Sequence, residues 1–167
     1  PIPPYVMGTL LGDGYIGGYG GQPAAVSSTD FEITENVRED MNGWGRYRAT
    51  KTQYNKIAHT FSMSMGKLSG KRPNEFNEKL RQLDLLGTTS ITKFIPPIYL
   101  VASVEQRISL LQGLMDTDGS VAKDRYRLSF TTISKQLRDG IIKLVRSLGG
   151  RGTWAEYYNK SIDKWSF

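Results

Sequence analysis

The stretch "LQGLMDTDG" at residues 111–119 repeats the pattern of an earlier stretch, "VMGTLLGDG" at residues 6–14. Aligned without gaps, the two nonapeptides bring Asp13 opposite Asp118 and match two glycines as well. Each nonapeptide closes an apolar stretch with helical spacing, so each predicts the C-terminal end of a helix. Such internal similarity indicates two related halves in one chain.

Small residues recur on one face of each predicted helix. Gly8 and Gly12 share a face of the first helix, and Ser109, Gly113 and Thr117 share a face of the second. Residues without bulky side chains let two backbones approach closely. We therefore expect the two helices to pair with their C-terminal ends together.

The second helix has a further start signal and an apolar stripe. Ser103 followed by Gln106 has the spacing of a capping box. The apolar residues at helical spacing predict the face that turns to the core. They are Val104, Ile108, Leu111 and Met115.

Pairing of the helices would place Asp13 and Asp118 side by side. A carboxylate at a helix C-terminus is disfavoured by about 0.3–1 kcal/mol at exposed sites. Two adjacent carboxylates also repel each other, so a divalent metal ion would stabilise the arrangement. The alternative is that each Asp-Gly pair only stops a helix and forms a turn.

Two other ligand motifs fail on their spacing. Gly12, Gly14 and Gly17 spell the dinucleotide-binding pattern, but "YIGGYGG" after them cannot begin the helix that such a site needs. The stretch "DTDGS" resembles the start of a calcium loop, but Arg127 stands where that loop needs glutamate.

Composition favours a polyanionic partner. The chain of 167 residues has 22 Lys plus Arg against 16 Asp plus Glu, a net charge of +6 and a pI near 9.5. Nucleic acid is the natural partner for such a balance. Without cysteine there is no disulfide and no thiolate metal site. No apolar run is long enough to span a membrane, and we expect a cytoplasmic protein.

The alternation of apolar and polar residues predicts an α+β arrangement in each half. In the first half we expect a hairpin over Tyr15–Tyr19 and Ala24–Ser28, a helix capped by Asp30, strands over 46–51 and 57–65, and a helix carrying Phe76 and Leu80. In the second half we expect a strand over 124–132, a helix carrying Leu137, Ile141 and Leu144 that ends at Gly149, and a strand over 151–158.

The two nonapeptides resemble the paired motifs of the LAGLIDADG homing endonucleases, the dodecapeptide or DOD type, of the kind inserted in inteins. "LLQGLMDTDGSV" is a close match, and "GTLLGDGYI" is a looser one with leucine at the sixth position of the motif. "LGTTSITKFIPPIYL" and "SFTTISKQLRDGIIKLVRSLGG" resemble the segments around the second motif. The resemblance implies two pseudo-symmetric αββαββα halves, residues 1–100 and 101–167, joined through paired helices, with antiparallel sheets forming a DNA-binding saddle.

The same resemblance implies a metal-dependent DNA endonuclease that cuts both strands of a long target and leaves short 3′ overhangs. Asp13 and Asp118 take the places of the metal ligands, with the backbone of Gly12 and Thr117 as further candidates. Lys93 takes the place of the active-site lysine. The implied cofactor is Mg²⁺, with Mn²⁺ as a substitute.

Polar residues on the predicted strands suit the DNA-binding role that the resemblance implies. A two-stranded ribbon fits the major groove, where arginine and threonine side chains reach base edges. The alternative is the ordinary solvated face of a half-buried sheet. The candidates are Arg46, Arg48, Thr50, Arg125, Arg127, Thr131 and Arg151.

Two other functions remain open at this point. One is a catalytically silent DNA- or RNA-binding module, as in maturases and regulators of this fold. The other is a protein-splicing element, but the chain has no cysteine and a single histidine, so we expect an endonuclease insert without its splicing domain. The expected partners are double-stranded DNA and, where embedded, an intein splicing domain and a host protein. We expect a monomer.

The first residue and the length of the second half lead to two further predictions. Pro1 in place of methionine predicts a fragment or a processed segment. By symmetry with the first half, we expect the second half to be incomplete at its C-terminus. That incompleteness predicts a short or unpaired edge strand near residues 164–167 and no second active-site lysine.

Overall fold

The computed structural model describes residues 1–18, 22–42, 50–54, 58–63, 74–123, 126–160 and 163–167, with the backbone alone for 50–54, 58–62 and 159. All statements below concern these residues.

Two helices, α1 and α5, form the centre of the molecule. Helix α1 spans Pro4–Leu11, begins with proline at its first position, and is buried at every residue after Pro4. Helix α5 spans Val104–Asp118 and begins at the predicted capping box, in which Ser103 and Gln106 exchange two hydrogen bonds of 3.3 Å. The backbones of α1 and α5 pack directly against each other along the predicted small faces.

The predicted apolar stripe of α5 is not its buried face. Val104 and Ile108 are 50% and 43% exposed, whereas Leu110, Gly113 and Leu114 are buried. The approach of α1 decides which side of α5 is covered, because only the side that contains Gly113 admits another backbone. The apolar spacing was therefore a wrong guide to the buried face.

The first half continues as a three-stranded antiparallel sheet with two helices. Strand β1 lies next to β3, and β3 lies next to β2. The elements are β1 (Ala25–Ser28), α2 (Phe31–Asn42), β2 (Thr50–Tyr54), β3 (Ala58–Ser62) and α3 (Glu75–Gln82). The predicted cap of α2 is present, since the Glu32 N–H donates to the Asp30 carboxylate at 2.9 Å.

Of the predicted strand over Tyr15–Tyr19, the structure describes residues 15–18, and within them it has one bridge, at Tyr15. Tyr15 and Ala25 exchange two backbone hydrogen bonds of 2.8 and 2.9 Å. Two residues later, Gly17 has a φ of +65°, which turns the chain away from extended geometry. With this bridge as its first strand, the first half has the order αββαββα.

The other two strands of the first half lie close to their predicted places. Strand β2, Thr50–Tyr54, overlaps the predicted range at residues 50–51, and β3 falls inside its predicted range. Thr50 pairs with Ser62 in antiparallel register. Residues 43–49, which include the start of the predicted strand over 46–51, lie outside the described part of the chain.

The second half has two short hairpins and one long helix. A one-turn helix, α4 (Pro97–Leu100), leads into α5. After α5 the chain forms β4 (Gly119–Val121), β5 (Leu128–Phe130), α6 (Lys135–Ser147), β6 (Tyr157–Asn159) and β7 (Lys164–Ser166). Strand β4 pairs with β5, and β6 pairs with β7. Helix α6 is followed by Gly149 with a φ of +83°, as the sequence predicts.

The two hairpins of the second half are joined at one point. Thr132 and Phe167 exchange backbone hydrogen bonds of 3.0 and 2.8 Å. Strand β7 spans three residues and is paired with β6, and Lys164 is exposed. The predicted strand over 151–158 is found only from Tyr157 onward.

A single cluster of buried side chains connects both halves. It includes Leu10 and Leu11 of α1, Phe76 of α3, Leu110 of α5 and Leu144 of α6, all fully buried. The α+β fold class and the pairing of the two motif helices are confirmed. Among the described helices, none has both the length and the apolar character that a bilayer crossing requires.

Candidate active site

The two predicted carboxylates lie where the paired helices end. Asp13 follows the end of α1 and is exposed, and Asp118 is the last residue of α5 and is half-buried. Between them, Gly12 packs against Thr117. A Cβ built on Gly12 would overlap the Thr117 side chain and would lie 3.6 Å from a carboxylate oxygen of Asp118. The missing side chain at Gly12 therefore brings the two helix ends together.

Lys93 reaches the same place from the loop before α4. Its side chain is buried, with 6% exposed, and its Nζ donates to the carbonyl of Gly12 at 2.6 Å and to that of Gly14 at 2.8 Å. These carbonyls stand on either side of Asp13. A lysine that lies 80 positions after Asp13 is thus bonded to the backbone on both sides of it.

Burial lowers the pKa of Lys93 from 10.5 to about 8, and the negative charges of Asp118 and Asp13 oppose this shift. Desolvation disfavours the charged ammonium, while nearby carboxylates favour it. The charges of Asp118 and Asp13 therefore act on the Lys93 ammonium against the effect of burial.

The pKa of Asp118 is raised, first by burial and then by the charge of Asp13, while Lys93 opposes the rise. The two carboxylates therefore repel across the helix ends, and one lysine compensates only in part. This is the electrostatic situation that the sequence predicts for paired Asp-Gly ends.

The residues at this site fit a hard divalent cation. Their donors are carboxylate and carbonyl oxygens, which Mg²⁺ prefers. Within the described ranges, no group of three or more His, Cys, Asp or Glu side chains is arranged to hold a metal ion. A site with two protein carboxylates suits an ion that keeps several of its waters.

The structure describes the side chains of some of the predicted DNA-binding residues and not of others. Arg127, Thr131 and Arg151 are exposed in the second half, and the Thr131 N–H donates to the Asp118 carbonyl at 3.4 Å. Thr50 begins β2, and its side chain lies outside the described part. Arg46, Arg48 and Arg125 also lie outside the described residues.

A concavity of about 430 Å³ lies between α1, α2 and α5, and Lys93, Asp13 and Asp118 are not among its lining residues. Its acidic lining includes Glu32, Glu39, Asp40 and Asp116. Tyr5 donates to the Asp116 carboxylate at 2.8 Å inside it, and burial raises the pKa of the Tyr5 hydroxyl. A concavity with this charge repels a phosphate backbone, so the site at the helix ends is the better candidate for chemistry on DNA.

The sequence did not reveal how Lys93 is held in place. The Ser134 hydroxyl, fully buried, donates to the Lys93 carbonyl at 2.6 Å. Ser134 precedes α6 and has the residue type of a helix cap, a signal that is visible in the sequence. Its second contact, with a residue 41 positions earlier, leaves no trace in local sequence.

The sequence of the chain is similar to those of several known proteins. A family model described as homing endonuclease matches residues 95–162. The chain is 29% identical over 150 residues to the replicative DNA helicase DnaB of Mycobacterium intracellulare, a match that covers 90% of this chain and 19% of that protein. It is 28% identical over 147 residues to the homothallic switching endonuclease of Saccharomyces cerevisiae, covering 77% of this chain and 24% of that protein.

Solved structures of the homing endonuclease I-DmoI share the fold. The complex of I-DmoI with DNA and Mn has a TM-score of 0.58 and 15% identity, covering 99% of this chain and 86% of that one. The complex with DNA and Ca has a TM-score of 0.58 and 14% identity, covering 99% and 80%. Mesophilic variants of I-DmoI give 0.59 and 14%, covering 99% and 86%.

The chain is thus similar in sequence to homing endonucleases over residues 95–162 and shares the fold of I-DmoI, which supports the predicted resemblance to the LAGLIDADG homing endonucleases. It spans about a fifth to a quarter of the length of the curated relatives that it matches.

Proposed function

We propose that this chain is a site-specific DNA endonuclease that cuts both strands of a long DNA target with the help of a divalent metal ion. The observation that carries this proposal is the meeting of Asp13, Asp118 and Lys93 at the ends of α1 and α5. Two carboxylates and a lysine in one site match the needs of phosphodiester hydrolysis, which are metal binding and charge neutralisation. In a module that only binds DNA, the repulsion between the carboxylates of Asp13 and Asp118 would lower stability without serving the function.

The named relatives and structures support the same reaction. One relative is an endonuclease, and the solved neighbours include homing endonuclease complexes with DNA and Mn or Ca. The net charge of +6 suits a polyanionic substrate. These points favour cleavage over a catalytically silent DNA- or RNA-binding module.

Asp13 and Asp118 would hold the metal ion, with the backbone of Gly12 and Thr117 as further candidates. We infer Mg²⁺ as the physiological ion, with Mn²⁺ as a substitute, because the donors are all oxygens. When bound, such an ion supplies Lewis-acid activation of a water molecule and stabilises charge on the phosphate and the leaving oxygen. The exposed carboxylate of Asp13 is accessible to a hydrated ion.

Lys93 would offset negative charge beside the scissile phosphate. Its ammonium has three N–H donors, of which two bond to the carbonyls of Gly12 and Gly14. One donor is left for a water molecule or a phosphate oxygen. With a pKa of about 8, the group is mostly protonated at neutral pH and carries its positive charge into the site.

The DNA would lie across the sheets of both halves, residues 1–100 and 101–167. Arg127, Thr131 and Arg151 are exposed and are our candidates for contacts in the second half. Arg46, Arg48, Thr50 and Arg125 complete the set that the sequence predicts. Phosphate contacts of this kind position the protein, while base contacts select the sequence.

We further propose that the chain is the endonuclease part of an intein, with a splicing domain and a host protein as its covalent partners. A match that covers 90% of this chain and only 19% of a replicative helicase supports insertion into a larger host protein. The natural target is then the host gene without the insertion.

The test is cleavage of that gene. A linear DNA that carries the uninterrupted host sequence is incubated with the protein and Mg²⁺, with Mn²⁺, or with a chelator. We expect one double-strand cut at the insertion point with Mg²⁺ or Mn²⁺ and none with the chelator, and end sequencing should show short 3′ overhangs. Tight binding of the same DNA without any cut in either metal would support the binding module instead.

A further inference from the structure

Four residues between β5 and α6 connect the second half to the candidate active site. We call residues 131–134 the β5–α6 connection. Its Thr131 N–H donates to the Asp118 carbonyl at 3.4 Å, and its Thr132 pairs with the last residue of the chain. At its end, Ser134 contacts Lys93, which belongs to the first half. The connection therefore touches the backbone of two of the three charged residues of the site.

The Ser134 hydroxyl makes two hydrogen bonds with different partners. It donates to the Lys93 carbonyl at 2.6 Å and accepts from the Leu137 N–H at 3.2 Å, where it caps α6. A hydroxyl has one hydrogen to donate, so the contact with Lys93 takes its whole donor capacity. Ser134 is fully buried, so water cannot replace either bond.

Helix α6 contacts the segment around Lys93 at a second position, Gly140. A Cβ built on Gly140 would lie 3.3 Å from three side-chain atoms of Ile95, so Ile95 packs directly on the helix backbone. Ser134 and Gly140 are six positions apart, which corresponds to about 9 Å along a helix. Contacts at both ends of this distance fix the position and the direction of the Lys93–Ile95 segment.

Lys93 is consequently fixed at both of its ends. Its side chain bonds to the carbonyls on either side of Asp13, and its main-chain carbonyl bonds to Ser134. We propose that Ser134 is a positioning residue for Lys93, through which helix α6 of the second half sets where the amine stands beside Asp13 of the first. This inference rests on the active-site role of Lys93 in the proposed function.

The first experiment measures the chemical reactivity of the Lys93 amine in the absence of DNA and of a metal ion. The protein is treated briefly with an acetylating reagent at neutral pH, and the acetylation rate of each lysine is read by peptide mass spectrometry. Lys123 and Lys143, both exposed, are internal standards. In Ser134→Ala we expect the rate at Lys93 to rise about tenfold, the change that loss of one ordinary hydrogen bond allows.

Two variants separate positioning from the capping of α6. Ser134→Thr keeps the hydroxyl and should restore the slow rate at Lys93. Ser134→Gly removes the hydroxyl but weakens a helix cap by only a few tenths of a kcal/mol. It therefore serves where Ser134→Ala does not fold, and should show the fast rate. Ser103→Ala removes the equivalent cap of α5 without touching Lys93, and should leave the rate unchanged.

The second experiment measures single-turnover cleavage with saturating DNA. We expect Ser134→Ala to lower the cleavage rate about tenfold with an unchanged Kd for DNA, and Ser134→Thr to restore it. An unchanged rate of acetylation at Lys93 in both Ala and Gly variants, or an equal rise in Ser103→Ala, would overturn the positioning role. If the wild-type protein does not cleave but the acetylation rates change as expected, the proposed function fails and the positioning role stands.

Discussion

Gly8 of α1 and Gly113 of α5 face each other so closely that a side chain on either would meet the backbone of the other helix. A Cβ built on Gly8 would lie 3.0 Å from the Cα atom of Gly113 and 2.8 Å from the nitrogen of Leu114. A Cβ on Gly113 would lie 2.9 Å from the nitrogen of Thr9. The two backbones are in contact, and the positions of Asp13 and Asp118 depend on that contact.

Gly8→Ala should therefore destabilise the protein. The added methyl group meets backbone atoms, which cannot move aside as a flexible side chain would, so we expect the free energy of unfolding to fall by about 1–3 kcal/mol or more. Urea denaturation checks this. The matched control is Gly152→Ala, where the nearest atom would be 3.7 Å away. Equal stability of the two variants would contradict the close packing.

The sequence predicts this part of the fold because the determinants are local. The small residues recur at helical spacing, and the Asp-Gly pairs mark where both helices end. The capping box at Ser103 is equally local, and it is found where the sequence places it. Each of these features depends on residues within one or two helical turns of each other.

The features that the sequence did not reveal depend on distant residues. The buried face of α5 is chosen by α1, about a hundred positions earlier, so the apolar spacing of Val104 and Ile108 was misleading. Likewise, the contact of Ser134 with Lys93 joins the two halves of the chain. No short sequence window contains both partners of such a contact.

Asp13→Asn and Asp118→Asn should each abolish double-strand cleavage. Each substitution removes a carboxylate from the proposed metal site, while the charge removed is one that repels DNA. We therefore expect an affinity for DNA that is unchanged or higher, measured by fluorescence anisotropy beside the cleavage assay. Asp84→Asn, in the exposed turn after α3, makes the same chemical change elsewhere and should cleave normally. Wild-type cleavage by Asp13→Asn or Asp118→Asn would refute the assignment.

Mg²⁺ should stabilise the wild-type protein but not these two variants. A ligand that binds only the folded state adds about 2.7 kcal/mol to the free energy of unfolding at a hundred times its Kd. Without metal we expect Asp118→Asn to be more stable than the wild type. The raised pKa of Asp118 shows that the ionised carboxylate is disfavoured in the folded state. Urea midpoints with Mg²⁺ and with a chelator measure both effects. A shift of equal size in all three proteins would argue against metal binding at the helix ends.

Arg127→Ala and Arg151→Ala should weaken DNA binding and reduce its dependence on salt. Each phosphate contact releases a bound counterion, so losing one should lower the slope of log K against log salt by about 1. A base contact would instead relax the sequence preference. Lys143→Ala, on the exposed side of α6, is the control with an equal loss of charge. Binding that is unchanged for both arginine variants at moderate salt would mean that this surface does not contact DNA.

The burial of Lys93 should make stability depend on pH in a defined direction. Its pKa is about 8 in the folded protein and 10.5 when solvated, so between these values the unfolded chain holds the extra proton. Stability then rises with pH, and the advantage of the wild type over Lys93→Met should grow by about 1–3 kcal/mol between pH 8 and 10.5. Metal-free urea titrations at several pH values measure this difference. Lys143→Met, at an exposed position, should give a constant difference over the same range, and a constant difference for Lys93→Met as well would mean that the amine is not held in a desolvated site.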